Sequence, residues 1–462
     1  MIPERLQPLL DEVQPLAQRF DSAGHRIYLV GGIVRDLVLG RPLSGDIDLT
    51  TDARPEQTMA RVAGWADAVW DQGARFGTVG LKRGATVFEV TTHRAEVYTA
   101  DSRKPEVSFA DDVEADLSRR DFTVNAMALR VTGAPGESPE LIDPFGGVAD
   151  LAAGVLRTPL APEVSFTDDP LRMLRAARFI SGYGLVPDDA LVVALRALVS
   201  RLDIVSAERV RDELGKLLVV EDPTSGLWFL VETGMADIVL PELPAMRVEQ
   251  DPIHRHKDVL AHTLAVVAKT RPDLRVRMAA LLHDVGKPKT RSIGPKGVSF
   301  HHHEVVGARM ARDRLRALRF PTEQVDDISQ LVYLHLRFHG YGDEAWTDSA
   351  VRRYVRDAGP LLDDLNELTR CDCTTRNERK AQVLAARMDA LEARIAELRE
   401  REELEAIRPD LDGQAVMEHL GIPPGRAVGE ALAVLLEARL DEGPLDPADA
   451  YRRLDEWWAA RS

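Results

Sequence analysis

The stretch from Ile27 to Thr50, I-Y-L-V-G-G-I-V-R-D-L-V-L-G-R-P-L-S-G-D-I-D-L-T, constrains the fold more than any other part of the chain. Ile27 to Val30 is a short apolar run of the kind that makes a buried strand. Gly31-Gly32 breaks it, and a helical pattern follows from Ile33 to Leu39, with Gly40 where a C-terminal cap belongs. A strand, a glycine turn and a helix N-terminus form a phosphate cradle, because the glycines admit close approach and the free N–H groups face the anion. Arg35, in the first helical turn, adds charge there. Asp46 and Asp48 then flank Ile47 and lead into Leu49-Thr50, a second strand. Residues i and i+2 of a strand share a face, so the two carboxylates repel unless a cation lies between them. Such a pair suits two divalent ions about 3.5–4 Å apart, which hold the attacking and leaving oxygens of a phosphoryl displacement. All-oxygen ligands and substrate phosphates favour magnesium. A D-x-D by itself also fits an ordinary strand start; the Gly-Gly-helix unit just upstream tips the reading toward metal.

The chain of 462 residues has room for roughly three domains. It shows no N-terminal signal pattern and no apolar run long enough to span a membrane. Its only cysteines, Cys371 and Cys373, stand too close on one helix to pair, which fits a reduced, cytoplasmic protein. The formal net charge of −16 argues against a surface coated in positive charge, yet a local basic face is enough for nucleic acid.

A first amphipathic helix is expected from Pro3 to Phe20, and another opens at Arg54-Pro55-Glu56. Thr78–Lys82 and Thr86–Thr91, joined across Arg83-Gly84, predict a hairpin. Its second strand carries Glu89, either a third carboxylate for the metal site or an exposed strand residue. Arg119-Arg120-Asp121 suits a triphosphate and a ribose hydroxyl, since arginine donates in a planar fork. Asp143-Pro144-Phe145-Gly146-Gly147 closes this part. From Leu160 the pattern turns helical. Asp169, Arg172, Arg175 and Arg178 recur every three residues as a stripe along one helix. An acceptor and a donor fork on adjacent turns match the edge of a base, and the excess of arginine favours an anion; a salt-bridged surface helix gives the same pattern. Arg209 to Val220 reads as a further body helix, and Pro241 to Asp251 as a boundary.

From His254 the chain is rich in histidine. His262, the pair His283-Asp284 beside Gly286-Lys287, and Asp372 form a dispersed H…H-D…D set of mixed nitrogen and oxygen donors. His303 and His335 are candidates for a second ion. Leu384, Met388, Leu391, Ile395 and Leu398 trace an a/d seam of about two heptads, short enough to pack on the protein itself.

In order, L-V-G-G-I-V-R-D, D-I-D-L, R-R-D-F-T-V-N-A-M-A, D-P-F-G-G and D-D-P-L-R-M-L-R-A-A-R-F resemble the bacterial class II tRNA nucleotidyltransferases, a family that joins CCA-adding enzymes and poly(A) polymerases. The H-D region resembles the phosphohydrolase domain attached to many members, and Gly421-Ile422-Pro423-Pro424-Gly425 their C-terminal segment. The resemblance implies an α+β architecture: a small mixed-sheet nucleotidyltransferase head (1–150), a helical neck and body (151–250), an HD domain (251–380) and a helical tail (381–462). It implies addition of C, C and A to tRNA from CTP and ATP, with poly(A) synthesis, A-only or CC-only addition as alternatives. A phosphohydrolase with an RNA-binding head is a further one. By resemblance Asp46 and Asp48 bind Mg2+, with Glu89 beside them, and Gly32 and Arg35 contact the triphosphate. Arg120 and Asp121 handle sugar and phosphates. Asp169 and Arg172 imitate a complementary base, and Arg175 and Arg178 continue the stripe. His262, His283, Asp284 and Asp372 match the HD ligands, which suit a transition metal. Two positions depart from the family pattern. Asp168 stands where glutamate is common, which bears on how the base-reading pair is braced. His93 stands where phenylalanine is common, which bears on packing near Glu89. The oligomeric state stays open.

Overall fold

The structure, a computed structural model, describes residues 6–43, 45–71, 77–97, 106–134, 136–248, 258–294, 297–339, 346–373, 378–402, 404 and 407–461. Pro3 and His254 therefore lie outside the described residues. The chain divides into two compact units, Met1–Leu217 with Ser225–Val239, and Leu218–Thr224 with Leu240–Ser462. The α+β expectation holds, with a mixed sheet at the front and helices after it.

In the first unit, strands β1 (Ile27–Val30), β2 (Ile47–Thr51), β3 (Ala68–Trp70), β4 (Thr78–Arg83) and β5 (Thr86–Thr92) come first. The short pair β6 (Arg94–Val97) and β7 (Glu106–Phe109) follows, then β8 (Ala128–Val131) and β9 (Glu140–Ile142). Seven of them form one sheet in the order β3-β4-β5-β2-β1-β8-β9. Every pairing in that sheet is antiparallel except β2 with β5, which runs parallel and sets Asp48 opposite Glu89. All four residues of β1 are buried, as a central strand requires. The helix Gln7–Asp21 lays Leu9, Leu10, Val13, Leu16, Ala17 and Phe20 into the core at helical spacing. Each of these except Ala17 contributes about 1.5–3 kcal/mol by leaving water. Between β1 and the helix Gly32–Leu39, Gly31 takes φ 71°, a conformation that favours glycine, and Gly40 ends that helix at φ 68° as the sequence predicts.

The first unit continues in helices, among them Pro162–Asp168, Leu171–Tyr183 and Ala207–Leu218. Leu171–Tyr183 buries Leu171, Met173, Leu174, Ala176, Ala177 and Phe179, and Arg172 with them.

Among its described residues the second unit is helical apart from one hairpin. Its centre is Leu274–Leu282, buried from Val276 to Leu282 and capped at its start by Asp273, whose carboxylate accepts from the Val276 N–H. Within this apolar helix Arg277 is 2 % exposed. It donates to the carbonyls of Thr270, Leu218, Val220 and Glu221, which stand in for water around the charge. Val259–Lys269, Thr322–Leu334 and Leu362–Asp372 pack around it, and His303–Ala317 packs on Thr322–Leu334. The a/d seam forms inside Glu378–Arg401, with Met388, Leu391, Ile395 and Leu398 buried against the protein's own helices. Gly413–Leu420, Arg426–Glu442 and Pro447–Arg461 close a small core of Val416, Ala431, Leu435, Ala450 and Leu454. Among the described residues no helix is long and apolar enough to cross a membrane.

Candidate active site and metal centre

The parallel register of β2 and β5 decides the chemistry of the first unit. It places the exposed carboxylates of Asp48 and Glu89 side by side at the edge of a cavity of about 370 Å³. Enclosure by the cavity walls, then Glu89, then Asp46 push the Asp48 carboxyl above its ordinary range, and Arg120 opposes them. Asp46 stands just ahead of β2 and is exposed. Three carboxylates gathered at one edge, with the Asp48 carboxyl pushed up by the other two, fit a divalent cation.

The opposite wall of the cavity is basic. Arg120 reaches Asp116 at 3.1 Å and passes over Gly31, where an added Cβ would lie 2.9 Å from its Nη1. Asp121 faces the same space. Arg175 donates to its Oδ2 from Nε at 2.8 Å and Nη2 at 2.6 Å, and Asn125 donates to its Oδ1 at 2.9 Å. Burial alone would raise this carboxyl, but the Arg175 guanidinium and the Asn125 amide hold it down at about 2. Asp169 accepts from Arg209 Nη2 at 2.9 and 3.2 Å. Arg172, 9 % exposed, donates to Ser165 Oγ at 2.8 Å and to the Arg119 carbonyl.

Of the residues singled out in the sequence, Asp48, Glu89, Arg120, Asp121, Asp169, Arg172 and Arg175 line this one cavity. Arg178 does not: its guanidinium is taken by the buried carboxylate of Glu213. Arg35 does not either. It is buried, donates to Asn125 Oδ1 at 2.6 Å and to Asp36, and lies 4.1 Å from the Tyr183 ring centroid. It therefore binds the helix Gly32–Leu39 to the helix Leu171–Tyr183, and a Cβ added at Gly32 would lie 3.4 Å from its Nη2. Asp168 is half-buried at the end of Pro162–Asp168. His93 is fully buried beneath β2 and β5. Because the Thr50 hydroxyl donates to the Thr91 carbonyl, the His93 Nδ1–H donates to Thr50 Oγ1, at 2.8 Å. Burial lowers the pKa of this histidine and keeps it neutral.

The sequence reading missed Arg209 and Glu213. They stand at i and i+4 on Ala207–Leu218, on one helical face, and each neutralises a member of the Asp169–Arg178 stripe. That shared face was the available signal. Asp116 and Arg94 also line the cavity.

In the second unit His262, His283, Asp284, His303, His335 and Asp372 converge. His262 Nε2 lies 2.9 Å from Asp372 and 3.5 Å from Asp284. His283 Nε2 is 3.3 Å from Asp284 and 3.5 Å from Asp372. His303 Nε2 is 3.5 Å from Asp284 Oδ1 and 3.3 Å from His335 Nε2. The donor atoms form two groups, His262–His283–Asp284 and Asp284–His303–His335, each within 4.8 Å and sharing Asp284. The backbone fixes the tautomers. His283, His303 and His335 each point Nδ1 at the carbonyl three residues earlier, on Ala280, Phe300 and Val332, at 2.7, 2.8 and 2.6 Å. A carbonyl can only accept, so each Nδ1 carries a proton and each Nε2 turns inward. His283 Nε2 and Asp284 Oδ1 are buried without a hydrogen-bond partner. Orphaned donors of this type fit a metal ion. Burial alone would lower His283, but Asp284 and Asp372 push it up to about 10, while burial and then His283 bring His335 down to about 3.

Comparison with known proteins agrees with this geometry. A family model described as the poly A polymerase head domain matches residues 27–157. One described as a probable RNA and SrmB-binding site of polymerase A matches 184–246, and the HD domain matches 259–398. The A-adding tRNA nucleotidyltransferase of Deinococcus radiodurans is 34% identical over 446 residues, covering 93% of this chain and 95% of the relative. The CCA-adding enzyme of Geobacillus stearothermophilus is 38% identical over 233 residues, 50% of this chain and 54% of the relative. The chain thus spans about half the length of that relative. Among solved structures, the Bacillus stearothermophilus CCA-adding enzyme in complex with CTP superposes with a TM-score of 0.72 at 26% identity, covering 100% of this chain and 99% of that one. The Thermotoga maritima CCA-adding enzyme complexed with tRNA shares the fold, with a TM-score of 0.54 at 20% identity over 100% and 97%. With a head, an RNA-binding segment and an HD domain in this order, and a relative matched nearly end to end, the chain belongs to the tRNA nucleotidyltransferase family that shares its head with the poly(A) polymerases.

Proposed function

We propose that this protein completes the 3′ end of tRNA, adding C, C and A from CTP and ATP without a template. The observation that carries the reading is the single cavity in which Asp48 and Glu89 face Arg120, Arg172 and Arg175. Asp46 and Asp48 would hold magnesium, which supplies positive charge against the triphosphate and acidifies the attacking 3′-hydroxyl. Glu89 keeps negative charge beside them. Arg120 orients the phosphates. Asp169 and Arg172 offer an acceptor and donors to the base edge, and nucleotide binding exchanges their internal partners, Arg209 and Ser165, for the base. Asp121 and Arg175 brace that pair, and Arg178 and Arg35 act further back, as helix-to-helix joints. We divide the chain into head (1–150), neck and body (151–250), HD domain (251–380) and tail (381–462), and place the protein in the cytoplasm, where tRNA is processed.

A transcript ending before its CCA, given CTP alone, is expected to gain two C residues, and then A once ATP is supplied. No C incorporation would sink the CCA reading. The nearly full-length match to an A-adding enzyme favours one other outcome, addition of A only, and only to a transcript already ending in CC.

For the second unit we infer that His262, His283, Asp284 and Asp372 hold a transition metal, with His303 and His335 completing a second position around Asp284. Imidazole-rich donors suit nickel, manganese, iron or zinc. A metal there would activate water against a phosphoester, such as a 2′,3′-cyclic phosphate on a damaged tRNA end. Elemental analysis of the purified protein beside His283→Ala, with cyclic-nucleotide hydrolysis under each metal, tests this. Equal metal content in both proteins would leave the domain a scaffold.

A further inference from the structure

A hairpin of strands Arg291–Gly294 and Gly297–Phe300 grows directly out of the histidine centre, between the donors His283-Asp284 and His303. It buries nothing. Arg291, Ser292, Ile293 and Gly294 are exposed, the four residues of the second strand are half-buried, and Ile293 keeps 69% of its surface. An isolated two-stranded hairpin is marginal in water, so core formation does not explain its presence. Its charge is one-sided. In a chain of net charge −16, the segment from Val285 to His303 contains Lys287, Lys289, Arg291 and Lys296 and no acid. Lys289 and Arg291 are exposed, and neither forms an ion pair with a described carboxylate.

The root of the hairpin is tied to the centre. Lys287 places its ammonium 2.6 Å from Asp284 Oδ2 and 5.7 Å from the Phe300 ring centroid. The Phe300 carbonyl is the group that fixes His303. Between Phe300 and His303, His302 adopts φ 60°, strained for a residue with a side chain. A load on the hairpin therefore reaches His303 through one carbonyl and one strained residue.

We infer that this hairpin is a strap that grips the phosphate backbone of a single-stranded RNA 3′ end and presents its terminal phosphoester to the histidine centre. This rests on the reading of that centre as a phosphoester site. Lys289 and Arg291, exposed and without an ion pair among the described residues, can neutralise phosphates, and a polyanion is the partner that their charge selects. The family match to an RNA-binding segment elsewhere in the chain makes RNA the polyanion at hand.

The test uses the full-length, metal-loaded protein and Lys289→Glu with Arg291→Glu. Hydrolysis of a 2′,3′-cyclic mononucleotide reports on the centre alone and is expected to be unchanged. Hydrolysis of an RNA oligonucleotide ending in the same cyclic phosphate is expected to lose about tenfold in kcat/KM at low salt. Its salt dependence should become shallower by about 1.4 in log–log slope, two phosphate contacts' worth. Independently, the oligonucleotide should protect Lys289 of the unmodified protein from acylation, read by mass spectrometry, whereas inorganic pyrophosphate should not. Unchanged RNA hydrolysis and slope, or no protection, or equal protection by pyrophosphate, would overturn the strap. If the unmodified protein hydrolyses neither substrate, the reading of the centre fails, and acylation still decides whether the hairpin holds RNA.

Discussion

At the edge of the head cavity three acids are exposed to solvent; in the histidine centre the donors are buried and already aimed. Asp46, Asp48 and Glu89 gather negative charge at an open edge, where water and substrate phosphates complete any coordination. His283, Asp284 and His335 are at most 1 % exposed, and the backbone orients both imidazoles. The first arrangement suits a hard, hydrated cation that comes and goes with nucleotide. The second suits a softer ion retained between turnovers. What separates them is where the organising energy lies: in the ligand that arrives, or in the fold that waits.

The sharpest way to break this contrast is Asp48→Ala. Nucleotide incorporation in a single-turnover assay should fall by roughly a hundred- to a thousandfold, the scale of removing one preorganised electrostatic contact, with cyclic-nucleotide hydrolysis unchanged. Matching losses in both reactions would merge the two sites. Next, chelation should act on the histidine centre alone. An ion at a hundredfold excess over its Kd stabilises by about 2.7 kcal/mol, so a chelator should lower a melting transition that His283→Ala has already lost. Retention should also weaken in acid. With His283 pushed up to about 10 by its two aspartates, loading an ion displaces a proton, and apparent affinity should drop as pH falls in a competition titration.

The Asp121–Arg175 pair gives a smaller effect in the first unit. Asp121 sits at about 2 against an ordinary 3.8. A depressed carboxyl contributes stability that is fully present above 3.8 and is lost as pH falls toward 2, here about 2 kcal/mol. Circular dichroism under acid titration should show that loss disappear in Arg175→Met, although Arg175→Met is less stable throughout. The smallest effect separates recognition from scaffold. Arg172→Ala should relax base choice by about 1–2 kcal/mol, seen as kcat/KM for GTP and UTP rising relative to CTP and ATP. Uniform losses with all four would make Arg172 only a pin for Ser165 and Arg119.

The elements of the head were legible because each rests on local rules: the apolar run of β1, Gly40 at a helix end, the Arg83-Gly84 hairpin. What was not legible depends on pairing across distance. Nothing local tells whether β5 runs parallel or antiparallel to β2, yet that choice puts Glu89 beside Asp48. The Asp169–Arg178 stripe looked rich in unpaired cation because its partners, Arg209 and Glu213, lie on another helix. Arg35 follows a glycine turn in sequence but is drawn inward by Asn125 and Tyr183. The histidines could be counted from spacing, whereas their shared Asp284 and fixed tautomers needed the bundle.

The parallel pairing of β2 with β5 also bears on how the head is made. Asp48 and Glu89 are roughly forty residues apart, so their register closes a long loop, and non-local closure of this kind slows folding. Like charges directly opposite one another oppose that closure by a further 0.2–1 kcal/mol or so. A cation captured by the incomplete chain would lower this barrier. The ion needed for nucleotide transfer would then serve first as a folding partner, and a newly made head would mature fastest where divalent ions are plentiful.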